Sequence, residues 1–301
     1  VKAKRIIANH GHPFDGETAD VQFPDFDPIL LQIGPLAIRW YALAYVAGIL
    51  LGWRYAILLS RNLKLWGGRQ PTLNAAQIDD LILWVTLGVI GGGRLGYVLF
   101  YFPSMIWEEP LNIFKVWEGG MSFHGGLIGV SLAMALFARA NKLDIFRVAD
   151  HVAPAVPIGL FFGRIANFIN GELWGRPTEM PWGVTGFPGT PEPWVPRHPS
   201  QLYEALLEGL LLFVLLRIAT HRQLWLQRRG VVAGLFLAGY GAFRLSLEWV
   251  REPDAQMLPF LRDYLTMGML LSIPMLLLGV WMIWRGLKEP VVPAAPEKAA
   301  A

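Results

Sequence analysis

Apolar residues along this chain gather into seven long runs, separated by stretches rich in charge, proline or glycine. Crossing the hydrocarbon core of a bilayer takes about 20 mostly apolar residues in a helix, and each run approaches or exceeds that length. The predicted spans are 36–59, 78–101, 121–140, 148–169, 201–219, 231–250 and 264–284. Ahead of them, Val21 to Trp40 alternates apolar and polar positions around Pro24, Pro28 and Gly34-Pro35, a pattern for an arm or small hairpin lying on the outer surface. Between the fourth and fifth runs, residues 171–199 hold seven prolines with Trp174, Trp182 and Trp194. That composition suits a rigid cap in the interfacial aromatic belt. Beyond Glu289 the Pro/Ala-rich tail predicts disorder. The expected organisation is therefore an arm over 1–35, a seven-helix transmembrane domain over 36–284 with the 171–199 insertion, and a cytoplasmic tail over 285–301. The fold class is an all-α polytopic membrane protein.

Composition agrees. Of 301 residues 54% are hydrophobic and only 16% charged, with a mean hydropathy of +0.40, too apolar for an ordinary soluble domain. An aromatic share of 13% argues against a disordered chain. The absence of cysteine excludes disulfides and zinc–thiolate or iron–sulfur sites, so any thiol in the chemistry must come from a substrate. A net charge of +3 arises from basic residues that form no stripe, which disfavours a nucleic-acid partner. Their placement reports topology instead. The loops after the first, third, fifth and seventh runs hold 12 Lys and Arg, including Arg61, Arg139, Arg228 and Lys288, against 5 in the alternate loops. By the positive-inside bias the amino terminus is expected outside and the carboxyl terminus inside. Lys2, Lys4 and Arg5 oppose the bias, but they are far from the first run and diluted by acids. No apolar leader with a cleavage site precedes the first run, which is expected to act as its own export signal.

Ionisable groups inside spans are costly unless paired or wet, so each is a functional candidate. Arg94, Arg164 and Arg244 recur in a faint pattern, Gly93-Arg94-Leu95, Gly163-Arg164-Ile165 and Phe243-Arg244-Leu245, too short to argue for inverted repeats. Tyr240, Arg244 and Glu248 share one helical face, and Arg244 can pair with Glu248. For Arg94, among Gly91, Gly92, Gly93 and Gly96, a packing role and a functional one stay equally open. Arg164 has Asn167 one turn on and no carboxylate within a turn. A planar guanidinium backed by amide donors suits an anionic phosphate, the alternative being an arginine that snorkels to the headgroups. His124, between Ser122-Phe123 and Gly125-Gly126, can move a proton near neutral pH or serve as a hydrogen-bonded core residue. His198, flanked by prolines, is expected to shape the start of the fifth span, where Gln201, Glu204 and Glu208 form a polar stripe. No metal-ligand spacing occurs, so metal chemistry is not expected.

Four blocks carry a resemblance: Phe123-His124-Gly125-Gly126-Leu127-Ile128-Gly129, Gly163 through Arg176, Arg197-His198-Pro199-Ser200-Gln201-Leu202-Tyr203-Glu204, and Gly239-Tyr240-Gly241-Ala242-Phe243-Arg244. In order and over nearly the whole chain they resemble the bacterial prolipoprotein diacylglyceryl transferase family. The resemblance implies a catalytic domain in the inner membrane that moves the diacylglyceryl group of phosphatidylglycerol onto the lipobox cysteine of a preprolipoprotein signal peptide, releasing glycerol 1-phosphate, with no cofactor. It further implies functional roles for Tyr41, His124, Arg164, Asn167, Glu172, Gly175, Arg244 and Glu248, with Arg164 binding lipid. Arg39 stands where some members carry His. The expected mechanism has Arg164 and Arg244 gripping the phosphodiester, His124 helping to form the thiolate, Glu248 orienting Arg244, Asn167 supporting Arg164 and Tyr41 bonding the headgroup. Two other classes make different demands. A transporter would favour midplane broken helices or strong repeats, and an intramembrane protease needs a Ser–His or paired-Asp constellation, for which Ser122 near His124 is the only hint.

Overall fold

The computed structural model describes residues 21–24, 27–34, 36–252 and 266–291. The first twenty residues, most of the tail predicted to be disordered, and the start of the seventh run all lie outside them. The described residues are mostly helical: α1 (Trp40–Arg61), α2 (Ala75–Tyr101), the short α3 (Met105–Glu108), α4 (Phe123–Ala140), α5 (Ile145–Val152), α6 (Val156–Ile169), α7 (Ser200–Glu204), α8 (Leu212–His221), α9 (Val231–Leu247) and α10 (Met267–Lys288). Four short strands accompany them: β1 (Val21–Gln22), β2 (Ile29–Ile33), β3 (Leu36–Arg39) and β4 (Val184–Thr185).

The hairpin read from the sequence is present, and it takes residues from the first predicted span. Gly34 adopts φ +59 and turns the chain, so β3 runs back antiparallel to β2 in the register Leu31↔Ile38, Gln32↔Ala37, Ile33↔Leu36. The helix therefore begins at Trp40, four residues later than the apolar run suggested. Leu36 to Arg39 is apolar enough for either state, but strand pairing satisfies its backbone polar groups without a helix. At the start of α2 the reverse happens. Asn74 and Gln77 form a reciprocal capping box, with Gln77 N donating to Asn74 Oδ1 at 2.9 Å and Asn74 N to Gln77 Oε1 at 3.1 Å, which sets the first turn before the apolar run opens.

Helix packing follows the small residues. Along α2 and α4, Gly88, Gly92 and Gly96 face Gly125 and Gly129, and a Cβ on Gly92 would come within 2.7 Å of the Gly129 Cα. Backbones at that separation tolerate no side chain, which is how helices associate where lipid removes the hydrophobic incentive. The fourth predicted run is two helices: Pro154 and Pro157 sit in consecutive first turns, and a 3-10 turn at Ala153–Ala155 joins α5 to α6. The fifth is broken differently, with a π-helix at Ala205–Leu211 between α7 and α8. Such π segments are uncommon and concentrate at functional sites.

Five helical stretches, Trp40–Arg61, Ala75–Tyr101, Phe123–Ala140, Ile145–Ile169 and Met267–Lys288, are long and apolar enough to cross a membrane, and Val231–Leu247 is a shorter apolar helix. Leu87, Ile128 and Leu277 are among many large apolar side chains left exposed on these helices, as lipid-facing surfaces require. The segment between α6 and α7 is tied to the amino-terminal arm. Its β4 pairs in parallel with β1, Val21 opposite Val184, and Phe23 packs its ring 5.6 Å from Phe168 and 5.0 Å from Phe187. β1 and Phe23 of the arm thus pack on the 171–199 segment.

Candidate active site

Three helices and the residues that follow α9 contribute a buried cluster of charges. Arg164 of α6 places Nε 2.6 Å from Glu204 Oε2 and Nη2 3.6 Å from Glu208 Oε2. Arg244 of α9 reaches Glu248 Oε1 with Nη2 at 2.8 Å and Glu204 Oε1 with Nη1 at 3.7 Å. Arg251 donates to Glu204 as well and lies 4.0 Å from Glu248. The three carboxylates are buried, at most 4% exposed, and the guanidiniums nearly so, Arg164 being the most open at 20%. Removing one member of a buried ionic group leaves its partner uncompensated, at a cost of about 3–5 kcal/mol, so the six side chains hold one another in place.

Local sequence explains how they meet. Glu204 closes α7 and Glu208 sits inside the π-helix. Gly209 allows that segment to press on α6, since a Cβ there would be 2.7 Å from the Phe161 Cβ and 2.8 Å from its Cα. Gly268, in the first turn of α10, performs the same service for Glu248: a Cβ would stand 3.1 Å from Arg244 Nη2.

The segment after α6 frames the cluster. Asn167 is buried, and its carbonyl accepts the Glu172 amide at 3.0 Å. The Glu172 side chain is exposed, while its carbonyl accepts Gln201 Nε2 at 2.6 Å. Gly175 donates to the His198 carbonyl at 2.9 Å, so close that a Cβ would come 2.8 Å from that oxygen. Arg176 caps the end of α9 by donating Nε to the Arg251 carbonyl at 2.7 Å. Arg197, buried, stacks 4.3 Å over the Trp174 ring and reaches Glu252 at 3.0 Å. His198 meets the Tyr203 hydroxyl at 3.3 Å through Nδ1, and burial holds its imidazole below the usual histidine value. On α1 the Tyr41 hydroxyl is 3.1 Å from that of Tyr45.

The sequence-derived candidates thus separate. Arg164, Arg244 and Glu248 meet in the charged cluster, Asn167 stands near the end of α6 with Glu172 and Gly175 just beyond it, and Tyr41 stands in the first turn of α1. Arg164, which has no acid on its own helix nearby, owes its position to Glu204 and Glu208 of another, and no hydrogen bond joins it to Asn167 among the described residues. His124 is exposed at the start of α4, its ring against Phe123, and among the described residues no hydrogen bond or ion pair joins it to the six charged side chains. Ser122 serves as the cap of that helix, accepting the Gly125 amide at 3.2 Å, which removes the hint of a Ser–His pair. Arg94 proves structural in its contacts. Its guanidinium donates to the carbonyls of Asn112, Ile113, Gly119 and Gly120 at 2.5 to 3.1 Å.

Sequence reasoning passed over two features. Arg251 counted only as a loop charge, and nothing local links it to Glu204, 47 positions away. Asp150 and His151, inside a predicted span, form a second polar cluster at the opposite end of α9. Asp150 accepts the Gly230 and Ala233 amides at 2.6 and 2.8 Å, and His151 meets the Ala56 carbonyl at 3.1 Å. Two adjacent ionisable residues in an apolar run were the signal.

A family model described as prolipoprotein diacylglyceryl transferase matches residues 28–285. Among similar proteins, the phosphatidylglycerol–prolipoprotein diacylglyceryl transferase of Phenylobacterium zucineum is 62% identical over 280 residues, 90% of this chain and 96% of the relative. That of Caulobacter sp. strain K31 is 57% identical over 91% of this chain and 98% of its own. That of Sinorhizobium medicae is 53% identical over 89% and 94%. With the match covering most of the chain, and Arg164, Glu204 and Arg244 of the charged cluster lying within the blocks that carry the resemblance, the chain belongs to the prolipoprotein diacylglyceryl transferase family.

Proposed function

We propose that this protein transfers the diacylglyceryl group of phosphatidylglycerol to the cysteine of a prolipoprotein. The sulfur attacks the lipid glycerol carbon that bears the phosphoester, a C–S bond forms as the C–O bond breaks, and glycerol 1-phosphate leaves. The thiol proton passes to a base, for which His124 is the candidate. The observation that supports this most is the meeting of Arg164, Arg244 and Arg251 around Glu204 in a buried site, because the leaving phosphate gains negative charge in the transition state and guanidiniums held in place stabilise it without reorganising. Arg164 and Arg244 grip the phosphodiester, Glu248 orients Arg244, and Tyr41 bonds the headgroup. Asn167, Glu172 and Gly175 form the turn above it. Within the membrane, the helix from Ser200 to His221 and α9 complete seven spans with the five long ones. The 171–199 segment and the amino terminus face the periplasm of an inner membrane, with the carboxyl terminus in the cytoplasm. The buried state of Arg197 and Arg251 supports that orientation, since these outward basic residues are used inside the protein.

Purified protein incubated with phosphatidylglycerol and a synthetic lipobox peptide tests the reading. Mass spectrometry should find a diacylglyceryl adduct on the peptide cysteine, and peptide without adduct at full turnover time contradicts it.

A further inference from the structure

The six-residue cluster holds three arginines and three glutamates, so its formal charges already cancel. A phosphodiester brings one more negative charge to a site whose carboxylates are buried. Buried charge without a partner is expensive, and the remedy open to a carboxylate is to take up a proton. The three glutamates are not equally suited to it. Glu204 is in contact with all three guanidiniums, and Glu248 sits 2.8 Å from Arg244. Glu208 is fully buried, and among the described residues neither of its oxygens makes a hydrogen bond and its ion-pair contact is Arg164 Nη2 at 3.6 Å. Protonating it therefore breaks the least. The groups facing it are Arg164 from α6, Glu204 from its own helix, Tyr240 and Arg244 from α9, and Arg251 beyond that helix.

We infer that Glu208 is an exchangeable counter-ion, a positioning residue that holds the Arg164 guanidinium and gives it up, by taking a proton, when an anionic phosphodiester binds. The π-helix is part of the device: it carries Glu208 on a segment that Gly209 lets rest directly against α6, opposite the guanidinium it must release. The inference rests on the lipid reading proposed above and adds to it a coupling between lipid binding and the uptake of one proton.

Calorimetric titration of the full-length protein in detergent with short-chain phosphatidylglycerol, in two buffers of different ionisation enthalpy, measures the protons bound with the lipid. Wild-type protein should take up close to one proton per lipid at pH 8, with its Kd rising toward about tenfold per pH unit above neutrality. Glu208→Gln should bind several-fold more tightly at pH 8, take up no proton and lose the pH slope, whereas Glu248→Gln should keep the uptake. Phosphatidylcholine, which carries no net charge, should induce none. Binding by wild-type protein without proton uptake overturns the inference even if the Gln variant does not fold, and so does an unchanged uptake in Glu208→Gln. The peptide transfer assay on the same preparation separates the two claims: adduct without proton uptake sinks this inference alone, while absence of adduct sinks the lipid reading as well.

Discussion

Arg94 and Arg164 begin from the same dipeptide, each following a glycine within an apolar helix, and end in different company. Arg94 spends its Nε and both terminal nitrogens on four carbonyls of the 112–120 loop. Arg164 is held by two carboxylates from the helix that follows the 171–199 segment. Backbone carbonyls cannot be protonated or moved without unfolding the loop, so Arg94 is a fixed strut beneath the segment leading to α4. Carboxylates can be neutralised or displaced, so Arg164 is an arginine whose partner is exchangeable. Burial and an arginine identity do not separate the two; the chemistry of the acceptors does.

The contrast can be broken by substitution. Arg164→Lys should lower transfer by about 100-fold or more, because a point charge replaces a planar fork where the phosphate gains charge. Its thermal unfolding should change little, and near-normal turnover would end the assignment. Arg244→Gln should destabilise by about 3–5 kcal/mol by leaving Glu204 and Glu248 short of a cation. Adding Glu248→Gln should recover part of the loss, and additive losses in unfolding measurements would show that the pair is not coupled. Arg94→Lys should cost about 1–3 kcal/mol through carbonyls left without donors, with the lipid KM unchanged. A tenfold rise in that KM would make Arg94 a lipid ligand and erase the distinction drawn here.

The smallest effect belongs at the opposite end of the molecule. Asp144 caps α5 and pairs with Arg229 at 2.7 Å. Partial burial pushes its carboxyl up, but the hydrogen bonds from Arg229 and the Arg147 and Phe146 amides outweigh this and hold it below its usual value. A depressed carboxylate stabilises above its unfolded pKa of about 4 and loses that contribution as pH falls through the folded value. Asp144→Asn should therefore destabilise at pH 7 by no more than about 1 kcal/mol for the half-exposed ion pair, and the difference from wild type should shrink toward pH 3. A gap that persists at pH 3 would assign the effect to packing.

Much of this was legible from residue order alone. The long apolar runs marked where five membrane-competent helices lie, the Gly34 turn marked the hairpin, and the Arg244–Glu248 spacing predicted an ion pair that forms at 2.8 Å. What failed to show has a common cause. The Leu36–Arg39 stretch went to a strand because its fate depended on β2 being available to pair. Arg164 looked free because its acids lie 40 and 44 positions ahead. Asp150 was passed over because the amides it caps belong to a helix 80 residues later.

Residue sequence by itself determined which segments are apolar enough to cross a membrane, since transfer from water to hydrocarbon is decided by local composition over about twenty residues. It also carried the family, whose model matches residues 28–285. Tertiary structure alone decided which arginine is a strut and which faces displaceable acids. Electrostatic partnership depends on distances of a few ångströms between helices, and those are set by glycine contacts and a π-turn that no local run of residues discloses.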